Sequence, residues 1–499
     1  MIELFTDAKR MFLVISIIIC GSGMMPAKAQ NTFQDTYDKF RQQAKSDYED
    51  FRKKANQEYA EWMRKAWEWH DKIEPMPRPK DEMLPPVIFE KEKQTSPKPM
   101  PYDDVVPSPK PSPQPKPVAP IRENDGEYQY IEFKFYGTAG KVRLPNDVVF
   151  KIQGHDENAF ADAWQVLSSE KYDNLIRDCL VLRMEHHLCD WAYLMMLKFL
   201  SEKVCCGWNN EAIMLQGYLL CQSGYKIRFG ITKRHDLRLL FKSEHIVFDL
   251  PGFKMEDGLF YMTEPTNDDG LSICDISYPE EKPLSLLINE EQLLADNLSD
   301  ERLLIQADSC RTIRVKTNRN WIDFCNSYPT SMYGEDIVSR WAMYANTPLS
   351  SKVKSMLYPQ LQDAIRKYDI SDAVNAASWL LYWVQTAFVY EYDDKVWGRD
   401  RAFFAEESLY YPYCDCEDRS ILYSRLVRDL LGLDVILVFY PGHLATAVAF
   451  DTPIEGDYID IHGRKFIICD PTYIGAPIGV TMPDMDNSSS KVILLNNYK

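Results

Sequence analysis

A cysteine, a histidine and an aspartate stand in that order near the C-terminal end of this 499-residue chain. Cys416 lies in Cys-Asp-Cys-Glu-Asp-Arg-Ser at 414–420, His443 in PGHLATAVAF and Asp470 in FIICDPTYIG. A thiol, an imidazole and a carboxylate are the parts of a nucleophilic triad. The imidazole takes the thiol proton, and the carboxylate fixes the imidazole tautomer. The apolar-periodic run ILYSRLVRDLLGL after Cys416 predicts a helix that opens at the thiol, where the helix dipole favours thiolate. Asp415, Glu417 and Asp418 oppose that shift, so the imidazole must supply most of it. The runs around His443 and Asp470 read as strands. Taken singly, the three residues are a buried thiol, a core histidine and a turn aspartate; together, in this order, they carry chemistry. Cys414 beside Cys416 raises zinc, but structural zinc sites space their thiols Cys-x-x-Cys, so neither metal nor cofactor is expected.

The elements that must position these groups come late in a long chain. Net charge is −17 and the isoelectric point about 5.1, which disfavours a nucleic-acid partner. Lys9 and Arg10, the apolar run Met11 to Ile19 and the small residues Ala27 and Ala29 predict a signal peptide over 1–29, hence export to a periplasm or beyond. A lipid anchor on Cys20 is disfavoured because Ile19 precedes it. Eleven cysteines follow the leader, an odd number that leaves at least one thiol outside intramolecular disulfides.

Residues 30–75 carry an eleven-residue repeat: Tyr37, Tyr48 and Tyr59 recur, as do Phe40, Phe51 and Trp62. That period, about 3.67 residues per turn, predicts a helix with a nearly straight aromatic stripe. Such a stripe suits self-association, a surface partner, or packing on the chain's own body. Residues 76–122 are rich in proline and lysine, with proline at every second position from Pro107 to Pro117, and read as a semi-rigid spacer.

The remainder reads as two copies of one domain, 123–295 and 296–499. At a constant offset, Ile213 falls on Ile421, Gly224 on Gly432 and His235 on His443. Glu264 in FYMTEPT falls on Asp470 in FIICDPT, and Trp191 matches Trp379. Trp208 stands where Cys416 would be, so the first copy has no nucleophile. The second copy carries an aromatic and acidic insert immediately before its thiol.

The second copy resembles the transglutaminase-like superfamily of papain-like cysteine enzymes. Trp379 with Val384 matches its W-x-x-x-x-V/I helix, and Asp415 to Ser420 its D-C-x-D-x-A/S segment. Leu426 to Gly432 resembles its L-R-x-x-G helix end, and Asp470-Pro471-Thr472 its D-P-T. The likeness covers about 370–480 well and reaches weakly back to 300. Cys414 replaces the family's glycine, and Leu444 and Ala445 replace an aromatic after the histidine. The resemblance implies an α+β fold, with the thiol on a central helix packed against an antiparallel sheet carrying His443 and Asp470. It implies amide acyl transfer through a Cys416 thioester on a peptide or protein substrate, with the backbone N–H of Cys416 among the oxyanion donors and water favoured over an amine as acceptor. The rival expectation is a non-catalytic binding scaffold assembled through the N-terminal helix.

Overall fold

The computed structural model describes residues 50–79, 84–91, 97–146, 150–264, 266–307, 312–367, 372–485 and 489–496. The predicted leader, together with Tyr37, Phe40 and Tyr48, lies outside them. The chain divides into two compact units, Met1–Ala55 and Asn56–Lys499. In the first, residues 50–55 are helical and Phe51 is exposed.

The larger unit is α+β. Its first residues, 56–63, are helical, and Tyr59, Ala60 and Met63 are buried. The Tyr59 ring lies 4.5 Å from that of Trp164 and 5.8 Å from that of Tyr278, so this end of the aromatic stripe packs on its own body. Trp62 stays 51% exposed, beneath Lys65. The expected helix to residue 75 stops early: Trp67–Ile73 is a strand. Its Trp-Glu-Trp-His-Asp-Lys-Ile alternation has the period of two that suits a sheet.

That strand helps close a six-stranded barrel, in the order Trp67–Ile73, Gly270–Cys274, Ile227–Ile231, Leu237–Lys242, Gly258–Met262, Gly252–Met255. Phe253, Phe260, Met262, Leu271 and Ile273 fill a core there. The helix Asn210–Gln222 packs against Ile227–Ile231 and Leu237–Lys242.

A second sheet of six strands runs in the order Tyr458–Ile461, Arg464–Cys469, His443–Val448, Val435–Tyr440, Lys491–Leu494, Asp104–Val106. All neighbours are antiparallel except the last pair. One face holds Ile436, Val438, Ala445, Ala447, Ile459 and Phe466 in a common core. The helix Cys416–Leu431 packs on Val435–Tyr440 and His443–Val448. In both sheets a helix is followed by a strand pair and a third strand beside the second. Gly224 and Gly432, the matched glycines, both take positive φ (94° and 68°) directly after their helices, where only glycine is unstrained.

The proline-rich stretch is no free spacer. Asp104–Val106 extends the second sheet by pairing parallel to Lys491–Leu494. Pro99 bridges to Tyr458, Pro115 O accepts from Arg183 at 3.3 Å, and Lys116 lies so close to Gly224 that a Cβ there would meet its carbonyl. Alternating prolines hold a chain extended, and each lacks an N–H that would need a partner. Such a chain can lie along a folded surface at little cost, which composition alone reads as a linker.

Candidate functional site

Cys416 is the first residue of its helix, with Asp415 as N-cap. Asp418 at the third position reaches back to the Asp415 N–H at 3.3 Å and also accepts from Phe403 N–H at 2.8 Å. From Cys416 to Arg428 every residue of this helix is buried, which demands partners for its polar side chains. Ser420 donates to Leu444 O at 2.7 Å, and Arg419 to Phe388 O at 2.8 Å and Gln385 O at 3.3 Å. Arg425 and Arg428 both donate to Ala345 O, at the C-terminal end of the helix Ser339–Asn346, where the dipole is negative.

His443 opens its strand and Asp470 directly follows Arg464–Cys469 on the neighbouring one, so sheet register sets their approach. His443 Nε2 and Asp470 Oδ2 are 2.8 Å apart. A carboxylate can only accept, so in the neutral ring Nε2 carries the hydrogen and Nδ1 the lone pair. Nδ1 is buried and has no hydrogen-bond partner. Asp470 Oδ1 accepts from the N–H groups of Thr472 (2.9 Å) and Tyr473 (3.2 Å), which fixes the carboxylate.

Cys416 is docked at the residue after this histidine. The Leu444 N–H donates toward its sulfur, and one turn later Ser420 holds the Leu444 carbonyl. The thiol itself points to Glu417 Oε2 at 3.4 Å. Burial, then the charges of Glu417 and Asp415, push its pKa well above the ordinary thiol value, more than the Leu444 N–H offsets. Burial and the acidic neighbours thus oppose the thiolate that the helix N-terminus and an imidazole would favour. The thiol is wholly enclosed, and three carboxyl groups stand within two residues of it.

Those carboxyls belong to a larger acidic group. Asp415, Glu417 and Asp418 all have raised pKa values, first from burial and then from neighbouring carboxylates: Asp418 for Asp415, Asp415 for Glu417 and Asp393 for Asp418. Burial pushes Asp393 up to about 7. Oxygens of Asp393, Asp400 and Glu417 lie within 4.8 Å of one another, a donor set of the hard type that magnesium or calcium would take. Sequence reading placed no metal here because the three residues are dispersed along the chain.

The insert before the thiol is a folded wall. Val389–Tyr390 pairs parallel with Tyr413–Cys414, and Arg401 stacks among Trp397, Phe403 and Tyr411 while pairing with buried Glu407. Cys414 is buried with its sulfur 3.9 Å from Val389 O. The ten cysteines among the described residues are all free thiols.

Two positioning groups went unread in the sequence. Gln385 donates to Asp470 O (2.9 Å) and Ala476 O (3.1 Å) and accepts from Gly475 N–H (3.1 Å), tying the aspartate loop to the Trp379 helix. A single amide in the apolar run SWLLYWVQTAF was the available signal. Tyr440 lies parallel to His443, with ring centres 6.4 Å apart and 18° between planes.

Trp208 and Glu264, which the sequence alignment sets against Cys416 and Asp470, are joined by Lys198. Its ammonium lies 4.7 Å from the Trp208 ring centre and pairs with the Glu264 carboxylate. His235 sits in a turn with φ 65°, its carbonyl accepting from Asn210. Among the described residues no histidine–carboxylate pair links His235 to Glu264.

No protein-family model, curated protein or solved structure matches this chain.

Proposed function

We propose that the chain is an exported cysteine enzyme of the transglutaminase-like kind, with a papain-like arrangement of nucleophile helix and sheet. It cleaves an amide through a Cys416 thioester. The observation that carries this reading is the buried His443–Asp470 pair whose Nδ1 lacks a partner, beside a strand residue that holds Cys416. An imidazole enclosed with a bare lone pair is costly unless it serves something.

In the reaction, Nδ1 takes the thiol proton and the sulfur attacks the amide carbonyl carbon. The C–S bond forms, the C–N bond breaks, and the imidazolium gives its proton to the departing amine. Water then attacks the thioester with His443 as base, releasing the carboxylic acid and restoring the thiol. Asp470 stabilises the imidazolium throughout. The backbone N–H of Cys416, at the positive end of its helix, is a donor for the developing oxyanion. Water is favoured over an amine acceptor because it needs no second binding site.

A release assay on a peptide library, run with wild type, Cys416→Ala and His443→Ala, tests the proposal. Amine release abolished by Cys416→Ala and strongly reduced by His443→Ala supports it. Release that survives Cys416→Ala refutes it. The enclosed thiol, held by Glu417 with its pKa raised, favours a second reading, a binding scaffold without turnover.

A further inference from the structure

Cys416, His443 and Asp470 are 0%, 1% and 3% exposed, so any substrate must displace something to reach the sulfur. A short extended segment, 84–91, is tied to the surroundings of all three. Leu84 N–H donates at 2.9 Å to the carbonyl of Gly442, the residue before His443. Leu84 O accepts at 3.3 Å from the hydroxyl of Tyr390, on the strand that pairs with Tyr413–Cys414. Beyond this point, Ile474 N–H donates to Val87 O and Phe89 N–H donates to Ile474 O, both at 2.9 Å, on the loop that follows Asp470.

The side chains repeat the pattern. Val87 and Phe89 pack on Tyr473, Ala476 and Met482, with the Phe89 ring edge-on to Tyr473 at 5.7 Å, while Ile88 between them is 70% exposed. Pro85 and Pro86 hold the chain extended and offer no N–H. As in recognition of an extended peptide, backbone hydrogen bonds hold the segment while alternate side chains pack inward, here on a turn and a loop beside the sheet.

We propose that residues 84–91 are a built-in pseudosubstrate. They occupy the track in which an extended polypeptide lies, with apolar residues at alternate positions, and keep Cys416 closed until displaced. The word substrate rests on the acyl-transfer reading; the closure does not, because it is measured by access to the thiol. The segment is held by few contacts and is half exposed, so it opens locally at a lower free energy than the sheet beneath it.

The test is alkylation of Cys416 by iodoacetamide, followed by mass spectrometry, in the full chain carrying Leu84→Pro and Phe89→Ala. Loss of the Leu84 donor and the Phe89 ring should raise labelling on the order of tenfold or more. A synthetic peptide of residues 84–91 at millimolar concentration should suppress it again, and a scrambled peptide should not. Labelling unchanged in a variant that melts like wild type overturns the proposal. If the variant does not fold, wild type decides. Cys416 labelling in sub-denaturing urea that follows exchange of the Phe89 amide supports closure by the segment, whereas labelling that follows global unfolding overturns it. Failure of the enzymatic reading shows separately, as labelling independent of His443.

Discussion

At the scale of single residues, the thiol is governed by opposed effects whose magnitudes differ. The helix N-terminus and the Leu444 N–H favour thiolate, whereas burial and the Glu417 and Asp415 charges disfavour it, and the second group dominates. Glu417→Gln removes the nearest charge and should lower the Cys416 pKa. A pH series of alkylation rates checks this: the half-rate point should move down relative to wild type. His443→Ala should reduce turnover by about 10²–10⁴-fold, the usual worth of a general base, with Asp470→Asn falling on the same side. Steady-state kinetics on a substrate found in the library screen would measure both. The placement of Cys416, His443 and Asp470 at element ends was legible in the sequence, because each stands where an apolar run starts or stops. The depth of burial that pushes the thiol pKa up was not, although the opposing neighbours Asp415 and Glu417 stand beside it in sequence.

Elements hold the site through buried amides and carboxyls as much as through apolar packing. Gln385 satisfies three backbone groups around Asp470 and Gly475. Gln385→Leu leaves them bare in an enclosed place and should cost about 1–3 kcal/mol, read as a lower urea midpoint. The acidic group makes a pH prediction with a definite sign. A carboxyl whose folded pKa is raised binds its proton more tightly folded than unfolded. Its contribution is therefore full below the unfolded value, about 4, and is lost as pH rises through the folded value. For Asp393 that value is about 7. The stability difference between Asp393→Asn and wild type should grow in the variant's favour from pH 4 to 7, measured by thermal melts in chelator. The helix at Cys416 and the strands at His443 and before Asp470 follow from apolar periodicity and were readable. The strand Trp67–Ile73 was hidden because the eleven-residue helical pattern ran straight into it.

For the molecule as a whole, segments that look peripheral in sequence complete the fold. Residues 56–73 supply buried Tyr59 and Met63 and a barrel strand, so Tyr59→Ala should destabilise by about 3 kcal/mol in urea unfolding. A chain shortened to begin at residue 75 should lose the barrel altogether. The proline-rich stretch reads as a spacer because composition reports what cannot form helix or ladder, and says nothing of a surface along which an extended chain can lie. Among the described residues no helix is long and apolar enough to cross a membrane. The central claim is that His443 activates Cys416, and an enclosed thiol still allows a direct test. Its labelling rate is an opening equilibrium multiplied by the reactivity of the opened thiol, and wild type and His443→Ala share the acidic group that makes opening pH-dependent, so the difference between their profiles reports the imidazole. The decisive measurement is therefore the pH dependence of Cys416 alkylation in wild type and His443→Ala. Wild-type labelling that persists well below pH 8.5, the ordinary thiol range of about that value, and is lost in the variant is the predicted result. Identical profiles in the two proteins would contradict the account.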